Sequence, residues 1–560
     1  MTRILTVGLL ITTIAAATRA EFDGPAPLAW RFVQPTPVAG AQPLVNGNTI
    51  YQALGGRVFC IDKETGNLLW RFPQVDPIEG AFRATPLLGA DTLVVAGDNK
   101  LVYGVNPNNG QLKWSYPTSQ PVYGQPAIVG QTVVFATSDN KIHSVNLADG
   151  TAFWATPYSV PDGINGTMIG VGNSVVLFNN RAQLFSIDLS TRKTNWTRNF
   201  TQLPPNPVPV AYGESIFAVS GPYVISVNPQ NGVPRWQIST GGQLQLPPAV
   251  SDSGIYVVSQ DGKLYAYDHN RTPINRTPIS LGTLASQRPT AVGKLVVVTT
   301  TAGGVMLVDP TKMPAPTART TTASQPGQLT VDPSAQSILW NYLIRPLNES
   351  AAKATTSANS GGGTGPGGSG PGGAGFGGGG GGGGQQQEAR ILTIQANAPA
   401  VVAGDTLLIA AKDGSLLAFD KNLGVDLTPP SVKMVFPNPG DQVSGQPPLL
   451  LAFRLQDDAS GIDIKTIKVE IEGQAYDSTF NKDGLLIVRF SLSSNNRPLS
   501  DGRKSIIVTA VDWMGNTAKQ SFALTIDNTL KPIVLPGSEN NNNQGGPGRG
   551  GGGGLGGDGR

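Results

Sequence analysis

The sequence predicts an all-β protein, an eight-bladed β-propeller followed by a β-sandwich. Three observations carry this expectation. Seven of the eight tryptophans close one recurring phrase. The phrase has a period, with Trp70, Trp114, Trp154, Trp196 and Trp236 lying 44, 40, 42 and 40 residues apart, and a period near forty marks stacked supersecondary units. Within each unit apolar residues alternate, and no segment sustains a helical period.

The N-terminus reads as a secretory signal over residues 1–20. Arg3 gives the positive start, residues 4–17 are apolar, and Thr18-Arg19-Ala20 ends in a small residue before Glu21. The apolar stretch is short for a bilayer span; an uncleaved anchor is the alternative. An extracytoplasmic location is expected, in the periplasm, at the cell surface or secreted.

Residues 27–424 hold the repeats. Each unit opens with an alternating run, as in Asp91-Thr92-Leu93-Val94-Val95-Ala96. A Gly/Asn/Asp turn follows, and then a second run such as Lys100-Leu101-Val102-Tyr103-Gly104-Val105. This is the strand-turn-strand signal. Next come Asp or Asn, a turn Gly four residues before Trp, and a last short strand, as in the phrase running from Cys60 through Asp62 and Gly66 to Trp70. Four short strands per unit describe a propeller blade. Units begin near Val38, Arg83, Gly124, Asn165, Asn206, Gln245, Arg288 and Asn397. The eighth lacks its Trp strand, and an orphan strand, Ala29-Trp30-Arg31-Phe32, precedes the first. Joining the two would close the ring and remove open sheet edges. Two copies are degenerate, with Arg192 in place of the turn Gly and Arg276 in place of Trp, and the seventh carries an insertion over 313–335.

These residues resemble the tryptophan-docking repeat of pyrroloquinoline-quinone-type propellers, the fold shared by quinoprotein dehydrogenases and the outer-membrane assembly lipoprotein BamB. The resemblance implies that Trp30, Trp70, Trp114, Trp154, Trp196, Trp236 and Trp340 pack between neighbouring blades, a seam that suits a large ring with one polar N–H. No cysteine follows the apolar N-terminal stretch, so the lipid attachment that BamB carries is not available.

Residues 357–387 are almost pure glycine and 536–560 are rich in Gly and Asn; such composition reads as disordered spacer. Between them, residues 428–528 form a second module. Its six strand-like runs suit two antiparallel sheets. Its phrases Asp457-Asp458-Ala459-Ser460-Gly461-Ile462-Asp463 and Ala510-Val511-Asp512-Trp513-Met514-Gly515-Asn516 resemble the immunoglobulin-like modules of bacterial surface proteins, which implies a spacing, presenting or adhesive role. Asp457, Asp458, Asp463 and Asp512 are candidate calcium ligands. Asp in Gly-containing turns is the favoured reading, since EF-hand spacing is missing.

Charged residues are only 14% of the chain, and removing Arg3 and Arg19 with the signal leaves 38 basic against 37 acidic residues. This balance predicts no general attraction to phosphate backbones or anionic membranes, so no nucleic-acid partner is expected; no transmembrane span is expected after signal removal. The single cysteine, Cys60, occupies a position that is small in other copies and reads as a buried core residue. His143 and His269 have no motif partner for nucleophilic or metal chemistry.

The resemblance to quinoprotein dehydrogenases implies an adjacent cysteine pair, a calcium ion and an aspartate base. The pair is impossible with one cysteine, and no acidic cluster stands at the strand starts. A non-catalytic protein without quinone or calcium is therefore expected, with a quinone-dependent dehydrogenase as the lesser alternative. The strand starts carry instead Gln42, Arg83, Gln125, Asn165, Asn206, Gln245, Arg288 and Asn397. If these ring one mouth of the channel, their amides and guanidinium groups could hold a glycan or a peptide carboxylate. A water-filled channel is the plainer reading. The expected function is a monomeric interaction scaffold for an envelope or surface protein, similar to BamB; adhesion or glycan binding is the alternative.

Overall fold

The structure, a computed structural model, describes residues 22–34, 38, 40–312, 329–330, 336–346, 393–481, 484–491, 494 and 496–532. The secretory signal, both glycine-rich segments and nearly all of the 313–335 insertion lie outside the described residues. Those described contain no α-helix.

Eight four-stranded antiparallel sheets follow one another as propeller blades, and the chain fills seven of them in simple order from inner to outer strand. The eighth is built from both ends. Leu28–Phe32 pairs antiparallel with Leu416–Asp420, outside Thr406–Ala410 and Val401–Ala403. Arg31 pins this closure, donating to Asp413 and Ser415, each at 2.9 Å, and to the Arg345 carbonyl at 2.7 Å.

Burial follows strand position. The second strands Thr92–Ala96 and Thr406–Ala410 are buried at every residue, because each face meets an adjacent blade. Outer strands are more exposed, as in Thr194–Asn199, where only Trp196 is buried, but Leu28–Phe32 and Ile338–Leu343 have no exposed residue. The core is accordingly divided into seams. One joins Val94, Ala96 and Val102 to Val133, Phe135 and Val145; another closes the ring, joining Ile50, Phe59 and Ile61 to Leu408, Leu416 and Ala418.

Five seams are keyed by a tryptophan N–H. The indole N–H of Trp30 donates to the Lys63 carbonyl of the next blade at 2.9 Å, Trp70 to Pro107 at 3.0 Å, Trp114 to Leu147 at 2.9 Å, Trp154 to Leu189 at 2.8 Å and Trp196 to Pro229 at 2.8 Å. The accepting turn is a five-residue loop, closed by Gly66 N–H on the Asp62 carbonyl and by the Asp62 carboxylate on Thr65. Its last residue must be glycine for two reasons. Gly66 has φ +71°, and a Cβ there would lie 2.6 Å from the Trp30 ring. Arg192 meets the same demand differently. It holds φ +58° and lays its guanidinium over Trp154, 5.3 Å from the ring centroid. At the sixth blade Arg276 is exposed, and Ile274 and Ile279 pack against Val296, Val298 and Val308.

Two five-stranded sheets form the sandwich. One holds Ser431–Phe436, Leu449–Gln456, Leu485–Phe490 and Ser478–Phe480, and the other Ile462–Ile471, Gly502–Asp512 and Thr517–Ile526. Their facing residues, among them Leu451, Phe453, Val488, Ile506, Val508 and Leu524, make one core. Leu329–Thr330, from the insertion in blade seven, adds a parallel strand to the first sheet. The sandwich is not hung on a loose linker. Trp340 N–H donates to the Ser460 carbonyl at 2.9 Å, Tyr342 O–H to the Asp458 carbonyl at 2.8 Å and Trp513 N–H to the Asn341 carbonyl at 3.2 Å. The Leu28 N–H donates to Ala459 at 2.7 Å.

Candidate functional site

A cavity of about 790 Å³ is lined by residues from all eight blades, from Gln42 ahead of the first to Pro399 ahead of the eighth. A lining shared by every blade places it on the propeller axis. Five of the eight residues expected at this mouth line it: Gln42, Gln125, Asn206, Gln245 and Arg288. They converge because each precedes an inner strand or, like Gln125 in Val122–Val129, lies within one, and inner strands bound the axis.

The other three are placed elsewhere. Arg83 is exposed, pairs with Asp98 at 2.8 Å and lines a neighbouring cavity of about 400 Å³. Asn397 donates to the Gly40 carbonyl at 2.6 Å, so its amide ties blade eight to blade one. Asn165 opens the first strand of blade four but is not among the residues lining the axial cavity. Gln125, although it lines the cavity, is also a tie: its amide accepts from Thr85 N–H and donates to the Thr85 carbonyl, both at 2.8 Å. Reading polar residues at strand starts finds the axis but cannot separate an amide facing the channel from one spent on the next blade.

What remains free is sharply limited. Among the described residues, the side chains of Gln42, Asn206 and Gln245 have no hydrogen-bond partner, and Arg288 has neither a hydrogen bond nor an ion pair. Burial alone lowers the Arg288 pKa from its ordinary value, with no charged neighbour contributing. Among the described residues the lining contains no Asp, Glu, His, Cys or Lys. Its walls are largely apolar, including Ile169, Val208 and Leu246.

The remaining titratable candidates have structural surroundings. His143 is buried, stacks on Phe135 with centroids 5.2 Å apart and contacts Tyr116 Oη and Thr137 Oγ1, each at 3.4 Å. Burial lowers its pKa, which favours the neutral ring, against an opposing pull from Asp139. His269 contacts the Ser251 carbonyl at 2.7 Å and stacks on Tyr212. Cys60 is buried and free, and burial pushes its thiol up to about 12, Asp62 adding to the effect.

Of the four aspartates considered for calcium, two come together. Asp457 and Asp512 join Asp426, which the sequence reading missed, in a buried group whose carboxylate oxygens lie within 4.8 Å of one another. Asp458 turns away to pair with Arg345 at 3.3 Å, and the Asp463 carboxylate accepts from Lys465 N–H. The three clustered carboxylates organise loops. Asp457 accepts from the N–H groups of Ala459, Ser460 and Gly461, Asp512 from Met514 and Asn516, and Asp426 from Thr428 and the Ser460 hydroxyl. Burial pushes the Asp457 carboxyl up to about 6 against those hydrogen bonds, and Asp426 and Asp512 reinforce the rise. Three oxygen donors suit a hard cation, and one carboxyl proton would serve the same electrostatic end. Asp426 carried no sequence signal, because it lies between the modules and outside both aspartate phrases.

A family described as outer membrane protein assembly factor BamB matches residues 27–237 and 206–312. No curated protein sequence matches the chain. Among solved structures, BamB from Moraxella catarrhalis aligns at 18% identity and a TM-score of 0.38, covering 46% of this chain and 79% of that one. The computationally designed Ika8 protein aligns at 11% and 0.45, covering 72% and 99%. The C-terminal WD40 domain of Sif2 aligns at 11% and 0.47, covering 71% and 97%. Among the described residues no helix is long and apolar enough to cross a membrane.

Proposed function

Because the chain belongs to the family of the outer membrane protein assembly factor BamB, we propose that it is a non-catalytic, extracytoplasmic β-propeller scaffold that docks an envelope or surface protein. The observation that carries this reading is the axial cavity: among the described residues Arg288 is the only charged side chain lining it, and none of those lining it can take a proton from a substrate at neutral pH. Hydride abstraction, acyl transfer and metal-assisted hydrolysis all need such a group or its ligands.

The blade rims support protein docking. Leu69, Leu112, Phe153 and Val233 stand exposed just ahead of docking tryptophans on successive or nearby blades. A rigid ring presenting apolar residues beside polar turns has the core-and-rim character of an interface. The N-terminal signal reading supports the extracytoplasmic assignment.

Crosslinking in the chain's own host, followed by identification of what co-purifies, tests the proposal. Reproducible recovery of an envelope protein is expected. A purified protein that binds quinone with calcium and reduces a dye acceptor would overturn the non-catalytic reading.

A further inference from the structure

Arg288 is a cation without an anion. A guanidinium does not give up its proton in a protein, so half-burying one beside apolar walls costs free energy that water or a ligand must offset. Among the described residues no carboxylate approaches it, although exposed arginines of the same chain, such as Arg83 and Arg181, have found theirs. Around it, Gln42, Asn206 and Gln245 line the same cavity with unspent amides, and Ile169, Val208 and Leu246 supply apolar wall.

We propose that the axial cavity binds a carboxylate that carries an apolar group, with Arg288 as the forked donor to the carboxylate. The guanidinium matches a carboxylate with two parallel N–H donors. Gln245 and Gln42 donate and accept around it. The apolar group packs against Ile169, Val208 and Leu246. One cation favours a singly charged ligand over a phosphate dianion. Among the described residues no aromatic side chain lines the cavity, so a sugar face finds no stacking platform on them. Two sources share this chemistry, a small carboxylic acid and the C-terminus of a peptide ending in an apolar residue. The site lies on the axis and does not depend on the rim docking proposed above.

Calorimetric titration of the full-length protein tests the assignment with three probes: N-acetyl-L-leucine, its neutral amide, and the peptide Gly-Ser-Gly-Leu with a free terminus. Saturable binding of both carboxylates is expected, at least tenfold weaker for the amide and at least tenfold weaker in Arg288→Gln. Arg235→Gln, which removes a rim guanidinium 3.8 Å from Glu214, should bind as the parent does. Tighter binding of the peptide than of N-acetyl-L-leucine identifies a chain terminus as the ligand, and equal binding identifies a small acid. Because Arg288 has no partner among the described residues, Arg288→Gln should melt with the parent. The proposal fails if neither carboxylate saturates, if the amide binds equally well, or if an Arg288→Gln protein of parental melting temperature binds unchanged.

Discussion

The indole N–H of Trp340 donates to the carbonyl of Ser460 at 2.9 Å, so the seventh blade's tryptophan docks on the sandwich and not on the turn of the eighth blade. The five docking bonds from Trp30 to Trp196 instead reach the neighbouring blade. Phe22 packs edge-on against the same ring, with centroids 5.9 Å apart. The sandwich therefore completes a seam of the propeller.

Replacing Trp340 by Phe keeps an aromatic ring but strips the Ser460 carbonyl of its donor and leaves space in a fully buried site. A loss of about 2–3 kcal/mol is expected from these two effects. Calorimetry should show propeller and sandwich melting together at a lowered temperature. Two separated transitions in the parent protein would contradict the shared seam.

The docking repeat was legible in the sequence because one residue type at one spacing does one physical job: the glycine must both turn left-handed and leave room for a ring. The sandwich junction was not legible, since Trp340 looks like every other docking tryptophan and its acceptor lies 120 residues away. The eighth tryptophan, Trp513, stands outside the repeat, yet it reaches back to Asn341. The axial site was half legible. Strand starts identified Arg288 and Gln245, whereas Gln125 and Asn397 are spent on neighbouring blades, a distinction that depends on side-chain direction.

Gly110 and Gly130 separate strain from collision. Both have positive φ, +70° and +59°, but a Cβ at Gly110 would lie 2.5 Å from Trp70 while Gly130 has nothing within 4 Å. Gly130→Ala should cost about 1 kcal/mol from backbone conformation. Gly110→Ala should cost at least about 2 kcal/mol more, because backbone and ring cannot both stay in place. Denaturant unfolding of the two variants provides the comparison.

Arg192 should respond unequally to its two replacements. Arg192→Gly relieves the left-handed strain as it removes the cation from Trp154, and a net change within about 0.5 kcal/mol is expected. Arg192→Ala keeps the strain and loses the cation, costing roughly 0.5–1 kcal/mol. Equal losses in both variants would remove the cation–ring account.

Asp457 predicts a pH dependence. Its folded pKa of about 6 lies above the ordinary carboxylate value, so the folded state binds the extra proton between about pH 4 and 6. The penalty for ionised Asp457 is absent below that window and complete above it, and stability falls as pH rises through it by roughly 3 kcal/mol. Asp457→Asn retains an oxygen for the three N–H donors and should abolish that fall. Urea unfolding of chelator-treated parent and variant from pH 4 to 7 measures the difference.

Cys60 should be inert. A thiol pushed up to about 12 and buried has almost no thiolate at pH 8. Ellman's reagent should release no colour from native protein within hours, and one equivalent after denaturation.

Scaffold function is tested most directly by photo-crosslinkers placed singly at Phe153 on the rim and at Ile169 in the axial cavity, followed by irradiation of living host cells. The account predicts that Phe153 captures a specific envelope or surface protein and that Ile169 does not capture it. Capture of the same partner from Ile169 alone, or no envelope protein from Phe153 or the other exposed rim residues, would contradict docking through the blade rims.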